Sequence, residues 1–242
     1  DRVQKELAGH WPDYDFLGEE MPGHEHEALT TSGRQGLWIL DPLDGTSNFA
    51  AGVPFFSVSL ALLIDGRPEI GLVYDPTRDE CFVAQRGRGS WLNGLSMGTQ
   101  VPVHLPLART IAVVDFKRLD RALAAKLGAE PPYGSQRNFG SSALDWCWLA
   151  DGRFHVYLHG GQKLWDYAAG TLILSEAGGQ ADGADAHGHR RLPRRCHRAL
   201  GRGDGQPCRR RIGGDADGQL VVQRARAVEL DQQAVAAGAV LD

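Results

Sequence analysis

The stretch of residues 38–49, WILDPLDGTSNF, constrains the fold most, because it begins like a buried strand and ends in oxygen-bearing side chains. Trp38, Ile39 and Leu40 form the short apolar run that is typical of a covered central strand. Pro42 has no amide hydrogen, so we expect strand pairing to end there. The sequence therefore predicts a loop at the carboxyl end of a buried strand.

Two aspartates flank this break. Asp41 and Asp44 stand three residues apart, and a carboxylate at the end of a buried strand is unfavourable unless something compensates its charge. Hard cations such as magnesium bind carboxylate and carbonyl oxygens. The alternative is a surface turn, because Asp-Pro and Asp-Gly pairs are common turn sequences. Glu19 and Glu20 follow another predicted strand and form a second acidic cluster.

Length and composition are those of an ordinary globular protein. A chain of 242 residues forms one large domain or two small ones, and contents of 42% hydrophobic and 23% charged residues are average. The net charge of -4 indicates no particular class of partner. No window approaches ~18 uninterrupted apolar residues, so we expect no membrane association through a spanning segment.

The cysteines indicate the compartment. Cys81, Cys147, Cys196 and Cys208 form no CxxC pair, which suits reduced thiols in a cytoplasmic protein. The chain begins with Asp1 rather than Met, so we expect a fragment or a processed product, and a removed targeting segment stays possible.

The first half of the chain predicts strands joined by short turns. A helix over residues 1–10, a strand over 14–17 and a polar loop over 21–36 precede the acidic stretch. Runs at 55–64, 70–74 and 80–84 then predict an antiparallel meander. His24 and His26 lie in the polar loop, and their spacing matches no defined zinc motif, so we interpret them as solvated.

The second half mixes strand and helix patterns. Residues 111–115, 136–139 and 154–158 predict strands, and 119–127 predicts a helix. A further helix begins at Ser141 or Ser142 and runs to about Ala150. After a loop that contains His159 and Lys163, the segment 165–179 predicts a helix that ends at two glycines. Asp166 at its start is most simply an N-cap.

Three motifs in this order resemble the inositol monophosphatase family of metal-dependent phosphatases: GEE, WILDPLDGTSNF and WDYAAGTLILSEAGG. The segments GLVYDPTRDECFVAQRGRGSWLNG and FGSSALDWCWLADGRFHVY extend the resemblance over residues 1–185. It implies an α/β fold, an alternating α-β-α-β-α sandwich of the inositol monophosphatase and fructose-1,6-bisphosphatase type. It also implies a homodimer and magnesium-dependent hydrolysis of a small phosphate monoester.

The resemblance further implies a set of metal ligands. The family's ligand positions fall on the side chains of Glu19, Asp41, Asp44 and Asp166 and on the backbone carbonyl of Leu43, which would hold two or three magnesium ions. Acidic residues from three separate segments suit phosphoryl transfer, which depends on in-line geometry and charge neutralisation.

Water and phosphate positions follow from the same resemblance. Thr46, paired with Glu19, matches the position that orients and deprotonates the attacking water. The amides of Gly45 and Thr46 would hold phosphate oxygens, as exposed loop amides do at a helix start. Family members carry two helices and an acidic-threonine loop before the point that matches Asp1, so we expect this chain to lack one element that positions a further metal.

The substrate is less defined than the metal site. Seven residues before Asp166, inositol-binding members carry a Glu that receives a sugar hydroxyl, and here the residue is His159. An imidazole donates or accepts a hydrogen bond but lacks the carboxylate charge, so His159 is either a substrate contact or a loop histidine. We expect a small phosphorylated polyol, sugar or nucleotide. Inositol phosphate is the first candidate; fructose-1,6-bisphosphate, histidinol phosphate and 3′-phosphonucleotides are the alternatives.

Composition changes abruptly near Ala186. We therefore divide the chain into a truncated phosphatase domain, 1–186, and an arginine-rich tail, 187–242, in which residues 190–226 contain eleven arginines and three acids. Three interpretations stay open. In the first, the tail is an arm that binds nucleic acid through its phosphates. In the second, the reading frame of the gene is lost near residue 186, and the tail is a disordered segment that was not selected. In the third, the tail holds a zinc ion. The zinc site would use His187, His189, Cys196, His197 and Cys208.

These interpretations lead to an alternative of a different class. A protein with this scaffold but without catalysis would bind nucleic acid through the tail, or would be an inert truncated homologue. Of the two classes, we expect the small phosphorylated substrate rather than a nucleic-acid partner, and we expect no membrane partner.

Overall fold

The computed structural model describes residues 2–30, 36–98, 105–182, 220–224 and 228–229. The strands of the first half are β1 (Asp15–Gly18), β2 (Gly36–Asp44), β3 (Ser57–Ile64), β4 (Arg67–Asp75), β5 (Glu80–Gln85), β6 (Gly89–Leu92) and β7 (Leu95–Ser96). Those that follow are β8 (Leu105–Pro106), β9 (Ile111–Val114), β10 (Ser135–Arg137), β11 (Val156–Gly160), β12 (Gln180–Asp182), β13 (Leu220–Arg224) and β14 (Val228–Glu229). The helices are α1 (Arg2–His10), α2 (Gly23–Thr30), α3 (Thr46–Ala51), α4 (Arg121–Ala129), α5 (Ser142–Ala150) and α6 (Leu164–Glu176).

The first sheet contains β1 to β7 in chain order. β1 runs parallel to β2, and every later neighbour is antiparallel, which confirms the predicted meander. The tight turns use the residues that their backbone demands. Asp65 and Gly66 between β3 and β4 have φ of 48° and 71°, and Asn93 and Gly94 between β6 and β7 have φ of 49° and 79°.

The second sheet has the order β10-β9-β11-β13-β12. The first three strands are parallel, and β13 is antiparallel to both of its neighbours. β8 pairs with β14 in a separate two-stranded ribbon. Because β9 and β11 are parallel and adjacent, their carboxyl ends meet at one edge of the sheet.

Helices α5 and α6 form the layer between the two sheets. Ala168, Ala169 and Ile173 of α6 pack with Ile39 of β2 and Phe82 of β5 in the core that faces the first sheet. The small residues predicted to bring α6 close to a sheet do so, since a Cβ on Gly71 of β4 would lie 2.7 Å from the carbonyl oxygen of Ala169.

Successive side chains along the strands of the second sheet point to its two opposite faces, and each face packs on a different helix. Val113 of β9 and Tyr157 of β11 pack on Trp146 of α5. Their neighbours in sequence turn the other way and pack on α4, in the cluster that contains Ala112, Val114, Val156, Leu158 and Leu123.

Helix α1 lies on the outer side of the first sheet. The rings of Trp11, just after α1, and Trp38 of β2 lie 5.4 Å apart between centroids. The order of layers is therefore α-β-α-β-α, and the predicted fold class is confirmed.

The prediction of a loop over residues 21–36 is wrong for residues 23–30, which form α2. Local pattern is weak there, and tertiary packing provides the stabilisation. Leu29 packs on the core, His26 Nε2 lies 3.1 Å from the Gly18 carbonyl oxygen, and the His26 and Trp165 rings meet edge to face at 4.9 Å. His26 is thus partly buried rather than solvated.

Two strand ends also differ from prediction. β2 continues through Pro42 to Asp44, with a register irregularity after Asp41 that lets the chain resume pairing with β3. β11 continues to Gly160, so His159 lies in a strand rather than in a loop. Both extensions bring polar side chains into the sheets at their edges.

Among the described residues, no helix combines the length and the apolar character that crossing a bilayer requires. Of the tail, residues 220–224 and 228–229 belong to β13 and β14. The histidines and cysteines of the zinc interpretation, and most of the arginine-rich segment, lie outside the described residues.

Candidate metal centre

Three predicted ligands meet in space. Asp41 and Asp44 come from the end of β2 and Asp166 from the first turn of α6, and each offers a carboxylate oxygen within 4.8 Å of the other two. Asp41 is 2% exposed and Asp44 8%, whereas Asp166 is half-buried. Three carboxylates that are this close and this buried form an acidic centre between the first sheet and the middle helices.

The backbone around Pro42 shapes one side of this centre. The Leu43 amide donates to Asp41 Oδ1 at 2.9 Å, and the Thr46 hydroxyl donates to the Leu43 carbonyl at 3.0 Å. These two short-range bonds fold the chain back on itself between Asp41 and Thr46. As a result, the Leu43 carbonyl lies in the same loop as the two aspartates.

Asp44 lies at the N-terminus of α5. It accepts hydrogen bonds from the Ser141 hydroxyl at 2.5 Å, from the Ala143 amide at 2.8 Å and from the Ser142 amide at 3.3 Å. A helix N-terminus presents free amides and a partial positive charge, so it favours the ionised carboxylate. The sequence predicted that a serine begins α5 but did not predict Asp44 as the acceptor, because the two are 97 residues apart.

Asp166 occupies a different capping position from the predicted one. Lys163 is the N-cap of α6, and Asp166 stands at the third helical position, where its carboxylate accepts from the Lys163 amide at 2.7 Å. The reciprocal capping box fixes the start of the helix. The N-cap prediction was therefore wrong by three residues, while the placement of Asp166 at the start of this helix was correct.

Burial and mutual repulsion raise the pKa values of all three aspartates. The pKa of Asp41 is raised to about 9, first by burial and then by the charges of Asp44 and Glu19. Burial raises the pKa of Asp44, although its bonds to α5 oppose this, and burial with the Asp44 charge raises that of Asp166 to about 6. A hard divalent cation would remove this penalty, since it binds clustered carboxylate oxygens as anions.

Glu19 lies at the rim of the acidic centre. Its amide donates to the Leu40 carbonyl at 3.1 Å, which ties the end of β1 to β2, and its side chain hydrogen-bonds with Asp41. Glu19 does not belong to the group of three whose oxygens all lie within 4.8 Å of one another. The structure thus brings Glu19 next to the centre, where its charge also raises the pKa values of Asp44 and Asp166.

The loop after Asp44 depends on a glycine. Gly45 has φ of 88°, and a Cβ there would lie 3.0 Å from the Phe55 carbonyl oxygen. Asn48 holds the loop down, because its side-chain amide donates to the carbonyls of Phe55 at 2.8 Å and Phe139 at 2.7 Å. The exposed Thr46 begins α3 directly after this constrained glycine.

His159 has a partner that the sequence did not predict. Its Nε2 lies 3.4 Å from Oδ2 of Asp115, and its Nδ1 is buried without a hydrogen-bond partner among the described residues. His159 lies near the end of β11, seven residues before Asp166 in the first turn of α6, and its charge opposes part of the rise in the Asp166 pKa. The pattern "IAVVD" at residues 111–115, a strand that ends in Asp, is the signal that could have identified Asp115.

The five-layer fold and the clustered carboxylates define a layered α/β protein with a candidate divalent-metal centre. A model described as the inositol monophosphatase family matches residues 1–205. The chain is 39% identical over 174 residues to Nus factor SuhB of Pasteurella multocida, which covers 70% of this chain and 62% of that protein. It is 35% identical over 184 residues to inositol-1-monophosphatase of Mesorhizobium japonicum, and the match covers 74% of this chain and 66% of that protein.

A solved structure of a related phosphatase has a similar fold. The dual specific IMPase/NADP phosphatase bound with D-inositol-1-phosphate aligns with a TM-score of 0.65 and 28% identity, over 74% of this chain and 68% of that chain. The chain belongs to the inositol monophosphatase family. It spans 62% and 66% of the lengths of the two curated relatives above.

Proposed function

We propose that this chain is the catalytic part of a magnesium-dependent phosphatase that hydrolyses a small phosphate monoester. The observation that carries the proposal is the meeting of Asp41, Asp44 and Asp166 within 4.8 Å in a buried position. Without a cation, these carboxylates repel one another and take up protons, which is an unfavourable arrangement for a purely structural core. Membership of a phosphatase family supports this interpretation.

The residues present fit two or three magnesium ions. Asp41, Asp44 and Asp166 would hold them, with the Leu43 carbonyl and Glu19 as further oxygen donors at the rim. Every donor in this set is oxygen, as magnesium prefers. When bound, magnesium supplies charge neutralisation, a lower pKa for a coordinated water and stabilisation of the leaving oxygen.

Three residues around the acidic loop have further roles in the reaction. Thr46 is exposed at the end of the acidic loop, and its hydroxyl donates to the Leu43 carbonyl at 3.0 Å, so its oxygen is oriented to accept a hydrogen bond from an attacking water whose proton passes to Glu19. Glu19 beside Asp41 is the matching base, and Gly45 and Thr46 present their amides to the phosphate. The positive φ of Gly45 gives the loop the tight path that this arrangement needs.

The substrate class is a small phosphorylated polyol, sugar or nucleotide. D-inositol-1-phosphate is the bound molecule in a related dual specific phosphatase, which makes it the first candidate here. Fructose-1,6-bisphosphate, histidinol phosphate and 3′-phosphonucleotides remain candidates for the same chemistry, because His159 replaces the carboxylate expected of inositol-binding members.

The test is phosphate release from these four substrates, measured with magnesium and again with excess chelator. We expect release that depends on magnesium and that falls about a hundredfold or more in Asp44→Ala and in Asp166→Ala, because each variant removes a metal ligand. Asp65→Asn is the matched control, since Asp65 is exposed in the β3–β4 turn and Asn tolerates its positive φ. Unchanged activity in both alanine variants would contradict the proposal.

A second candidate is binding of nucleic acid without catalysis. It is favoured by the arginine-rich segment 190–226 and by relatives that carry the name Nus factor SuhB. This candidate predicts RNA affinity that falls steeply with salt, and less steeply when arginines 190, 191, 194 and 195 are replaced by serine. Binding with the same salt slope in wild type and variant would exclude the arm as the contact.

A further inference from the structure

Asp115 lies where two parallel strands end together. It follows β9, and its amide donates to the Leu158 carbonyl of β11 at 3.0 Å. One residue further along β11 is His159, whose Nε2 lies 3.4 Å from the Asp115 carboxylate. The pair therefore forms at the carboxyl edge of the second sheet, where the loop 161–163 leaves for α6 and Asp166.

The two members of the pair differ in exposure. The His159 side chain is 7% exposed, and the Asp115 side chain is 23% exposed. The imidazole is thus held inside the edge, and its Nδ1 is buried. Asp115 offers the carboxylate that reaches solvent, so Asp115 is the member of the pair that a bound molecule can contact.

Asp115 is held as an anion. Its carboxylate accepts from the Lys117 amide at 3.1 Å, and the hydrogen bond and charge of His159 lower its pKa. Asp41, Asp44 and Asp166 have pKa values shifted in the opposite direction. The ionised Asp115 carboxylate can therefore accept a hydrogen bond beside the acidic centre, and it is not one of the three aspartates that repel one another there.

The pair adjoins the candidate metal centre. The charge of His159 acts on Asp166, and the charges of Asp115 and Asp44 both act on the buried Asp145 of α5. Val113 and Tyr157 pack on α5, and the alternation of side chains along β9 and β11 puts Asp115 and His159 on that same side of the sheet. The N-terminus of α5 on this side donates to Asp44. A phosphate held at the metal centre would place the organic part of its ester toward this edge of the second sheet.

We propose that Asp115 determines specificity by accepting a hydrogen bond from a substrate hydroxyl close to the phosphate, with His159 as its positioning residue. This inference rests on the proposed function. The carboxylate that is missing at position 159 is then supplied by position 115 of the neighbouring strand. The substrate class is a polyol or sugar phosphate with a hydroxyl near the ester, rather than a phosphate on a group without hydroxyls.

The experiment compares D-inositol 1-phosphate, which has neighbouring hydroxyls, with phenyl phosphate, which has none. Both are assayed with magnesium in the full 242-residue chain. Asp115→Asn should lower kcat/KM for inositol 1-phosphate about tenfold, mainly through KM, because a hydrogen bond to a charged acceptor is weakened. Phenyl phosphate hydrolysis should stay unchanged in Asp115→Asn, and the hydrolysis of both substrates should stay unchanged in the control Asp65→Asn.

A double variant tests the exchange of positions directly. Adding His159→Glu to Asp115→Asn returns a carboxylate to the edge from β11, and we expect it to restore most of the preference for inositol 1-phosphate. An equal loss on both substrates, or no loss on either, overturns the role of Asp115 while leaving the phosphatase intact. Failure of the wild-type chain to release phosphate from either substrate overturns the proposed function, and this inference with it.

Discussion

At the scale of single residues, Ser141 links the acidic centre to the second half of the chain. Its hydroxyl donates to Asp44 at 2.5 Å and orients a predicted metal ligand. Ser141→Ala should therefore weaken magnesium affinity about 10- to 100-fold, as loss of an outer hydrogen bond to a ligand does. Magnesium titration measures this, with the exposed Ser96→Ala as control. Equal affinities in the two variants would show that Ser141 does not position Asp44.

The raised pKa values of Asp41 and Asp166 give a pH prediction. Between pH 4 and 9 the metal-free folded chain binds more protons at these sites than the unfolded chain, since the ordinary value is 3.8 and the folded values are about 9 and about 6. Stability should therefore fall as pH rises through that window.

Thermal unfolding at several pH values in chelator measures this fall. Asp41→Asn should remove most of the fall in stability above about pH 6. Asp166 has already lost its proton there, and of these two aspartates only Asp41 still titrates. Saturating magnesium should flatten the whole curve, because it binds the ionised form. Stability that rises with pH in chelator would contradict the assignment.

Asp41 and Asp44 could be predicted as candidate ligands from the residues alone, because two carboxylates at the end of a buried strand are unfavourable without a partner. Asp166 became a candidate ligand only through the family resemblance, since a carboxylate at the start of a helix is favourable by itself. Ser141 and Asp115 could not be predicted in the same way. Their roles depend on contacts with Asp44 and His159 across 97 and 44 residues of sequence, and neither residue type is unusual where it stands. Periodicity carries no information about such pairs.

At the scale of elements, the contact between β4 and α6 holds the two halves of the acidic centre together. A Cβ on Gly71 would lie 2.7 Å from the carbonyl oxygen and 3.0 Å from the Cα of Ala169. Gly71→Ala should destabilise the fold by about 1–3 kcal/mol and should also weaken magnesium binding, because it displaces α6 and Asp166 from β2.

The matched control is Gly128→Ala in α4, where a Cβ meets nothing within 4 Å. This variant should be neutral or stabilising by up to about 1 kcal/mol, because alanine favours a helix over glycine. Chemical denaturation and magnesium titration compare the two variants. A Gly71→Ala variant as stable as the Gly128→Ala variant would show that the close approach can relax without cost.

The elements that sequence predicts well are those with strong local pattern. The strands of the first sheet alternate, and Asp65-Gly66 and Asn93-Gly94 mark two of the turns between them, so their order was predictable. α2 was missed because its stabilising contacts lie on other elements: His26 contacts Gly18 and Trp165, and Leu29 packs on the core. β2 runs past Pro42 because its register irregularity accommodates a residue without an amide donor.

At the scale of the whole molecule, the layers explain why ligands from distant segments meet. β2 delivers Asp41 and Asp44 to one edge of the first sheet, and the middle layer brings the starts of α5 and α6 to the same place. The second sheet then adds Asp115 and His159 beside them. The layer order was predictable only through the family resemblance, since strand patterns do not reveal which face of a sheet each helix covers.

Magnesium binding tests the central claim most directly. The 242-residue chain is titrated with magnesium in a calorimeter at constant pH. Repeating the titration in two buffers of different ionisation enthalpy gives both the magnesium affinity and the number of protons released. We predict saturable binding with release of protons from Asp41 and Asp166, and loss of most of that binding in Asp166→Asn but not in Asp65→Asn. Equal magnesium affinity in wild type and Asp166→Asn would contradict the assignment of this centre as the metal site.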